Sequence, residues 1–171
     1  ADNILIERWR PLIATTAKLK IGFCWQGSKT YGNAARRDCP LTLFLFLCHY
    51  ANILPVSLQK DVSDADKVIL KQYNIVDAGS AINDFADTAA IIAQLDIIIS
   101  VDTANMHLAG AMGKPVWLLL PFQTEWRHPR GEATSPWYQN VLFFRQPILG
   151  DWSSVFQLAE RNLQAYMQLN M

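Results

Sequence analysis

Residues 96–121 constrain the fold more than any other stretch of this chain, because two apolar runs flank one small-residue segment. The first run, residues 96–101, is rich in β-branched side chains and is typical of a strand covered on both faces. Gly113, Lys114 and Pro115 form a sequence that ends a helix. The second apolar run, residues 116–120, follows directly. The stretch therefore predicts a strand–helix–strand unit of a parallel sheet.

The turn after the first of these strands carries candidate ligand-binding groups. Ligands of open α/β sheets bind outside the carboxyl ends of the strands, where helix N-termini present free N–H groups. Thr103 and His107 share one face of the predicted helix, and Ala104 is small enough for a ligand to approach the backbone. This pattern predicts a phosphate site. Asp102 would repel phosphate unless it caps the helix or orients His107. The structural alternative is that Asp102 and Thr103 only cap the helix and His107 is a core histidine.

Composition narrows the class of protein. The chain has 171 residues and a formal net charge of zero, which predicts one domain with a substantial core and argues against nucleic-acid or anionic-membrane binding. Its three cysteines form no CxxC pair, so we expect neither a disulfide framework nor a zinc site. This cysteine usage favours a reducing compartment. No apolar run is long enough for a membrane span, and the start lacks signal-peptide features. We expect a soluble, cytoplasmic domain.

Hydrophobic patterns predict strands that alternate with helices along the whole chain. A lead-in helix is expected within residues 1–19, followed by one domain over residues 20–171. The alternation predicts an α/β fold with a doubly wound, Rossmann-like parallel sheet. The predicted strands cover residues 21–25, 53–58, 75–78, 96–101, 116–120 and 141–145. The other predicted helices cover residues 40–51, 63–73 and 85–95, the segment after Asp102, and the segment after Asp151.

Basic side chains follow the first predicted strand, on the same sheet edge as the turn described above. Lys29, Arg36 and Arg37 lie in this polar loop. Arginine can neutralise a diphosphate through a bidentate fork and lysine as a point charge. The alternative is ordinary surface charge on a solvated loop.

Three further residues are expected at that edge. Gln59 and Lys60 end the second predicted strand and could reach a ribose or a phosphate. Phe85 begins a helix on the same rim, where its ring could meet a base, although a phenylalanine at such a position is more often core.

Two other patterns each allow a structural and a functional interpretation. Asp64 and Asp66 form a DxD sequence of the kind that binds a metal, but with Ser63 they also form a capping box, which favours the structural interpretation and no metal. Trp126 and Trp137 mark an aromatic-rich region that also contains Arg127 and Tyr138. Aromatic faces can pack sugars, or the region can fold against its own domain or a partner, and the sequence leaves this open.

Taken together, these residues resemble glycosyltransferase family 9, which includes the heptosyltransferases, and in particular the version that follows tetratricopeptide repeats. The resemblance implies the C-terminal half of a GT-B architecture, which holds the nucleotide-sugar donor, and an inverting, metal-independent transfer that uses no cofactor beyond this donor. The matching pieces, in order, are IGFCWQGS, RRDCPLTLF, VSLQKD, the block from INDFADTAA to KPVWLLLP, EWR, SPWY, FRQP and GDW.

The resemblance also implies site residues. Asp102, Thr103 and His107 match the D-T-x-x-x-H element that lies at the donor diphosphate in the family. Lys29 falls in the loop where relatives place a phosphate-contacting lysine, and Arg37 matches an arginine just before the helix-opening proline. The candidate donor-binding residues are Asp102, Thr103, Ala104, Asn105, His107, Lys29, Arg37, Gln59, Lys60 and Phe85.

One feature of the family has no counterpart in this sequence. The acceptor-binding domain, which carries the carboxylate proposed as catalytic base, is absent. We therefore expect the donor-binding half of an enzyme that is inactive alone, with the missing N-terminal acceptor domain or a repeat region as its partner. The alternative is a non-catalytic nucleotide-binding or protein-interaction module.

Overall fold

The computed structural model describes residues 1–14, 16–17, 19–28 and 34–170. Over these residues the chain forms one sheet of six parallel strands. The strands are β1 (Leu19–Cys24), β2 (Ile53–Ser57), β3 (Val76–Asp77), β4 (Ile97–Val101), β5 (Val116–Leu120) and β6 (Val141–Arg145). The prediction of a doubly wound, Rossmann-like parallel sheet is therefore confirmed.

The strand order fixes where a ligand can approach. It is β3-β2-β1-β4-β5-β6, so the chain winds outward from β1 in one direction and from β4 in the other. Phe23 pairs with Ile99 and Cys24 with Ser100, so the segments that follow β1 and β4 leave the sheet side by side. Open α/β sheets bind their ligands at such a switch in winding direction.

Helices cover both faces of the sheet. They are α1 (Asn3–Ile13), α2 (Ala34–Arg37), α3 (Asp64–Gln72), α4 (Phe85–Ala93), α5 (Ala104–Ala111) and α6 (Trp152–Asn170). Residues of α3, α6 and a 3₁₀ helix (Leu41–His49) pack on one face, while α1, α4 and α5 pack on the other. Alternate residues of β4 enter opposite clusters, which explains why its sequence is apolar throughout. Burial of these two apolar clusters stabilises the domain through the hydrophobic effect.

The lead-in helix is an integral part of this packing. Trp9 and Ile13 are buried against α4, and Trp9 Nε1 donates a hydrogen bond to Asp87 Oδ1 at 2.8 Å. The helix ends at Ile13, and Leu19, predicted to be helical, is the first residue of β1 instead.

Three further expectations about helices have clear outcomes. The segment predicted as a helix over residues 40–51 is a 3₁₀ helix. Capping by Ser63 is confirmed, since its Oγ accepts a hydrogen bond from Asp66 N at 3.1 Å, while the Asp66 carboxylate accepts from the Ser63 hydroxyl at 2.8 Å. Gly113 ends the helix after Asp102 with a positive φ of 73°, as the sequence predicts.

Candidate functional site

Three adjoining cavities form one crevice along the carboxyl edge of the sheet. The β2-side cavity (about 320 Å³) lies between the segment after β2 and the start of α4. The central cavity (about 420 Å³) lies at the start of α5, and the β5-side cavity (about 360 Å³) lies against the segment after β5. Thr103 and Ala104 line the first two, and Arg37 and Asp102 line the last two. The crevice therefore has room for one elongated ligand.

Asp102 contacts three side chains at the crevice. It is 4% exposed and follows directly after β4. His107 Nε2 lies 3.3 Å from its Oδ1, and Arg127 donates to its Oδ2 from 3.3 Å. His128 Nε2 lies 3.4 Å from Oδ2. Asp102 thus joins α5 to the segment after β5.

These contacts keep the Asp102 carboxyl ionised. Burial alone would raise the pKa of this group, but the contacts with His107 and His128 and the positive charges of His128 and Arg127 outweigh burial. They hold the pKa of Asp102 well below its ordinary value of 3.8. The guanidinium of Arg127 therefore already offsets the negative charge that would repel a phosphate.

The first turn of α5 has no side-chain cap. Thr103 is the N-cap residue, but its side chain makes no capping hydrogen bond, and its Oγ1 lies 3.1 Å from Ser100 Oγ instead. Asp102 also does not cap the helix but contacts His107, so the alternative that these two residues only cap the helix is wrong. The reason is that Asp102 turns toward the segment after β5. The leading N–H groups of an uncapped helix have no intrahelical partner and favour an anion.

His107 is held at both of its ring nitrogens. Nε2 contacts Asp102, and Nδ1 lies 3.2 Å from the hydroxyl of Tyr138. The Tyr138 ring packs against α5 at Gly110, where a Cβ atom would lie 2.8 Å from Tyr138 Cγ. The side chain of His107 is 33% exposed, so it is not a core histidine. Because both ring nitrogens contact protein side chains, the role of His107 is to position Asp102 and Tyr138.

Arginines supply the positive charge of the central cavity. Arg37 and Arg127 line it from α2 and from the segment after β5. The guanidinium of Arg37 lies against Gly27, where a Cβ atom would collide with it. The predicted site residue Lys29 lies outside the described residues.

The β2-side cavity brings together the remaining predicted residues. Gln59 is 5% exposed, and its Oε1 accepts from Gln26 N at 3.0 Å. Asn105 Nδ2 donates to the Leu58 carbonyl at 3.0 Å. Phe85 lines this cavity and is 63% exposed, so the alternative that it is a core residue is wrong.

Lys60 lies at the predicted edge of the sheet, where its ammonium contacts backbone oxygens. Its Nζ donates to the carbonyls of Ile82 and Asn83, at 2.9 and 3.4 Å, and so ties the segment after β2 to the approach to α4. Lys60 lines the β2-side cavity, but its ammonium is used by backbone oxygens.

The segment after β5 contributes partners that the sequence did not single out as site residues. Arg145 holds it by donating to Thr124 Oγ1 at 2.6 Å and to the carbonyls of His128 and Pro129, each at 3.1 Å. Arg127, His128 and Tyr138 were missed as part of the site. The available signal was a run of charged side chains directly after a predicted parallel strand, at the same edge as Asp102.

Cys24 borders the β2-side cavity but is not a nucleophile at neutral pH. Burial raises the pKa of its thiol to about 11, and its Sγ lies 3.2 Å from Gln59 Oε1. Cys24, Cys39 and Cys48 are all free. In the part of the chain that the structure describes, no His, Cys, Asp or Glu residues cluster in a group of three that could hold a metal ion. None of the described helices is long and apolar enough to span a membrane.

The architecture and the crevice define an α/β, Rossmann-like domain of the kind that forms half of a GT-B protein. Residues 81–129, which include β4, α5 and the start of the segment after β5, match the family model for glycosyltransferase family 9 (heptosyltransferase). The structure resembles that of E. coli ADP-heptose LPS heptosyltransferase II, with a TM-score of 0.58 and 15% identity. The likeness covers 98% of this chain and 53% of that one. Residues 81–129 are thus similar to glycosyltransferase family 9, and the fold of the chain is similar to that of about half of a heptosyltransferase.

A curated relative extends the comparison. Protein FlbA of Caulobacter vibrioides is 28% identical over 138 residues, which cover 78% of this chain and 23% of FlbA. The chain therefore spans about a quarter of FlbA and about half of the solved heptosyltransferase.

Proposed function

We propose that this chain is the donor-binding half of an inverting, metal-independent glycosyltransferase, and that its donor is a nucleoside-diphosphate sugar. The observation that carries the proposal is the central cavity, where two arginines and an uncapped helix N-terminus face one space between two further cavities. In such a donor the diphosphate carries the negative charge and lies between the nucleoside and the sugar.

The diphosphate is assigned to the central cavity because its chemistry fits. Arg37 and Arg127 can each offer a planar pair of N–H donors to phosphate oxygens. The leading amides of α5 add donors and the positive end of the helix dipole. Asp102 does not oppose this, since Arg127 and two histidines already surround its carboxylate.

The nucleoside is assigned to the β2-side cavity. Leu58, Ile82 and Phe85 provide an apolar lining there, and the exposed ring of Phe85 suits the face of a base. Gln59 and Asn105 provide the amide groups of the same cavity, at the position expected for a ribose.

In the intact enzyme an acceptor oxygen would attack the anomeric carbon as the bond from that carbon to the diphosphate breaks. The diphosphate leaves with the electron pair, and the acceptor proton passes to a base outside this chain. The arginines and the α5 amides would stabilise the charge that develops on the leaving group. These groups take the place that a divalent metal has in other transferases. The missing acceptor domain, a tetratricopeptide-repeat region and a cytoplasmic location belong to the same proposal.

The experiment is a calorimetric titration of the chain with UDP, ADP and GDP, without magnesium and then with it. We expect saturable binding of one nucleotide without metal. Arg127→Met should weaken it by ~1.5–3 kcal/mol, the usual contribution of a hydrogen bond to a charged group. Arg161→Met, a matched change at an exposed site on α6, should leave affinity unchanged. Failure of all three nucleotides to bind would overturn the donor site, and binding only with magnesium would overturn metal independence.

A further inference from the structure

Two exposed tryptophans stand at the rim of the β5-side cavity. Trp126 is 75% exposed and lines this cavity, and Trp137 beside it is 58% exposed. Their ring centroids lie 5.9 Å apart with an interplanar angle of 87°, so Trp137 supports Trp126 by edge-to-face packing. Neither the diphosphate nor the nucleoside assigned above uses this aromatic surface.

The segment that carries Trp126 is fixed in place. Trp137 Nε1 donates to the Arg127 carbonyl at 3.2 Å, and Thr124 Oγ1 donates to the His128 carbonyl at 2.9 Å. Arg145 adds three further hydrogen bonds to the segment, as described above. An indole presented by a rigid loop loses little conformational freedom when a ligand packs on it, which favours binding.

The chemistry of the β5-side cavity differs from that of the β2-side cavity. The exposed surface of the β2-side cavity is mainly apolar, whereas that of the β5-side cavity is slightly more polar than apolar. Arg36 and Gln123 are exposed and line the same cavity as Trp126. A pyranose ring has one apolar C–H face and a rim of hydroxyl groups. A cavity that combines an aromatic side chain with amide and guanidinium donors matches both.

We propose that Trp126 recognises the glycosyl group of the donor, with its indole against the C–H face of the sugar and with Arg36 and Gln123 at the hydroxyl groups. The inference rests on the proposed function. The β5-side cavity shares Arg37 and Asp102 with the central cavity, so a sugar attached to a diphosphate there enters the β5-side cavity directly. Trp126 is thus a specificity-determining residue, and its contribution is confined to the sugar.

The test compares each nucleotide with its glycosyl conjugate by calorimetry: UDP with UDP-glucose, ADP with ADP-glucose, and GDP with GDP-mannose. For the pair that binds, Trp126→Ala should lower the affinity ratio of conjugate to free nucleotide by about three- to tenfold, as expected for the loss of one aromatic packing contact. The affinity for the free nucleotide should stay unchanged. Trp126→Phe should restore most of the ratio, because it keeps an aromatic face.

Phe85→Ala is the matched control at the opposite end of the crevice, where it should weaken the nucleotide and its conjugate by the same factor. An unchanged ratio in Trp126→Ala, or an equal loss for nucleotide and conjugate, would overturn the role of Trp126 and leave the donor site intact. A change in sedimentation behaviour without a change in the ratio would also overturn it and mark a protein contact. If no nucleotide binds the unmodified chain, the proposed function itself fails.

Discussion

The segments that follow β4 and β5 meet at Asp102, yet they are built in different ways. The segment after β4 is short and enters α5 within two residues. The segment after β5 runs from residue 121 to 140 without a helix or a strand of its own, and hydrogen bonds from Arg145 and Trp137 hold its shape. The first is organised by local sequence, and the second by contacts between residues that are distant along the chain.

This difference explains how the site is assembled. The segment after β4 brings the carboxylate and a helix N-terminus to the crevice, and the segment after β5 brings Arg127 and His128 to that carboxylate. Neither segment makes the site alone. Because Arg127 offsets the charge of Asp102, the same contact holds the loop and makes the crevice suitable for an anion.

Asp102→Ala should have the largest effect, because the Asp102 side chain contacts both α5 and the segment after β5. We expect the free energy of unfolding to fall by ~2–4 kcal/mol, since Arg127 loses its counter-charge and the buried His128 loses its contact with the carboxylate. Urea denaturation measures the change. Hydrogen exchange should show faster exchange in both segments.

Asp84→Ala is the control for this variant, because Asp84 is a true helix cap whose Oδ1 accepts from Ala86 N and Asp87 N at 2.9 Å. Its loss should cost about 1 kcal/mol. If Asp102→Ala cost no more than Asp84→Ala, a capping role for Asp102 would suffice and the shared network would be refuted.

Arg145→Met should separate the two segments. The variant loses hydrogen bonds to Thr124, His128 and Pro129, and we expect a loss of ~1–3 kcal/mol in the free energy of unfolding. Exchange should become faster after β5 while the first turn of α5 keeps its protection. Arg10→Met removes a surface ion pair with Glu7 and should change stability by less than about 1 kcal/mol. Equal loss of protection in both segments would mean that they are not organised independently.

The same contrast shows what the sequence could predict. β4 and β5 are continuous apolar runs, and their bounds as strands follow from the residues themselves. The parallel order follows from the alternation of strands and helices. The partners of Asp102 do not follow in this way, because Arg127 lies 25 residues further along the chain and local sequence suggested a helix cap instead.

Two other residues show the limit in physical terms. The sequence places Lys60 at the ligand edge but does not show that its ammonium also contacts carbonyl oxygens 22 and 23 residues away, which only the fold brings near. A phenylalanine in the position of Phe85 is more often core, yet Phe85 opens α4 at the edge of a cavity and is largely exposed. A residue type indicates whether a side chain is buried or charged, but the partner that the side chain contacts depends on the topology of the fold.

The Asp102 contacts should also make stability depend on pH, with a smaller effect than that of the Asp102→Ala variant. Because the folded state lowers the pKa of this carboxyl below 3.8, the native protein binds fewer protons than the unfolded chain in acid. The stabilisation is therefore complete above about pH 5 and falls as the pH drops through 4, by at most ~1.4 kcal/mol per pH unit for one group. Urea midpoints from pH 7 to pH 3 measure it against Asp102→Asn.

Other carboxylates with lowered pKa values, such as Asp87, are present in both proteins, so their contributions cancel in the difference. The stability gap between the unmodified chain and Asp102→Asn should be constant at neutral pH and narrow in acid. A gap that stays constant down to pH 3 would contradict an ionised, stabilising Asp102.

Tyr138→Phe should have the smallest effect and tests the last link between the two segments. It removes the hydroxyl 3.2 Å from His107 Nδ1 but keeps the ring that packs on Gly110. Because His107 is partly exposed, water can replace the hydroxyl, and we expect a loss of only ~0.5–1 kcal/mol in the free energy of unfolding. Gly110→Ala is the complementary variant, since its new methyl group would push the ring away while the hydroxyl remains. It should cost more than Tyr138→Phe if packing carries the link. The reverse ranking, measured by urea denaturation, would show that the hydrogen bond to His107 and not the ring holds the segment after β5 against α5.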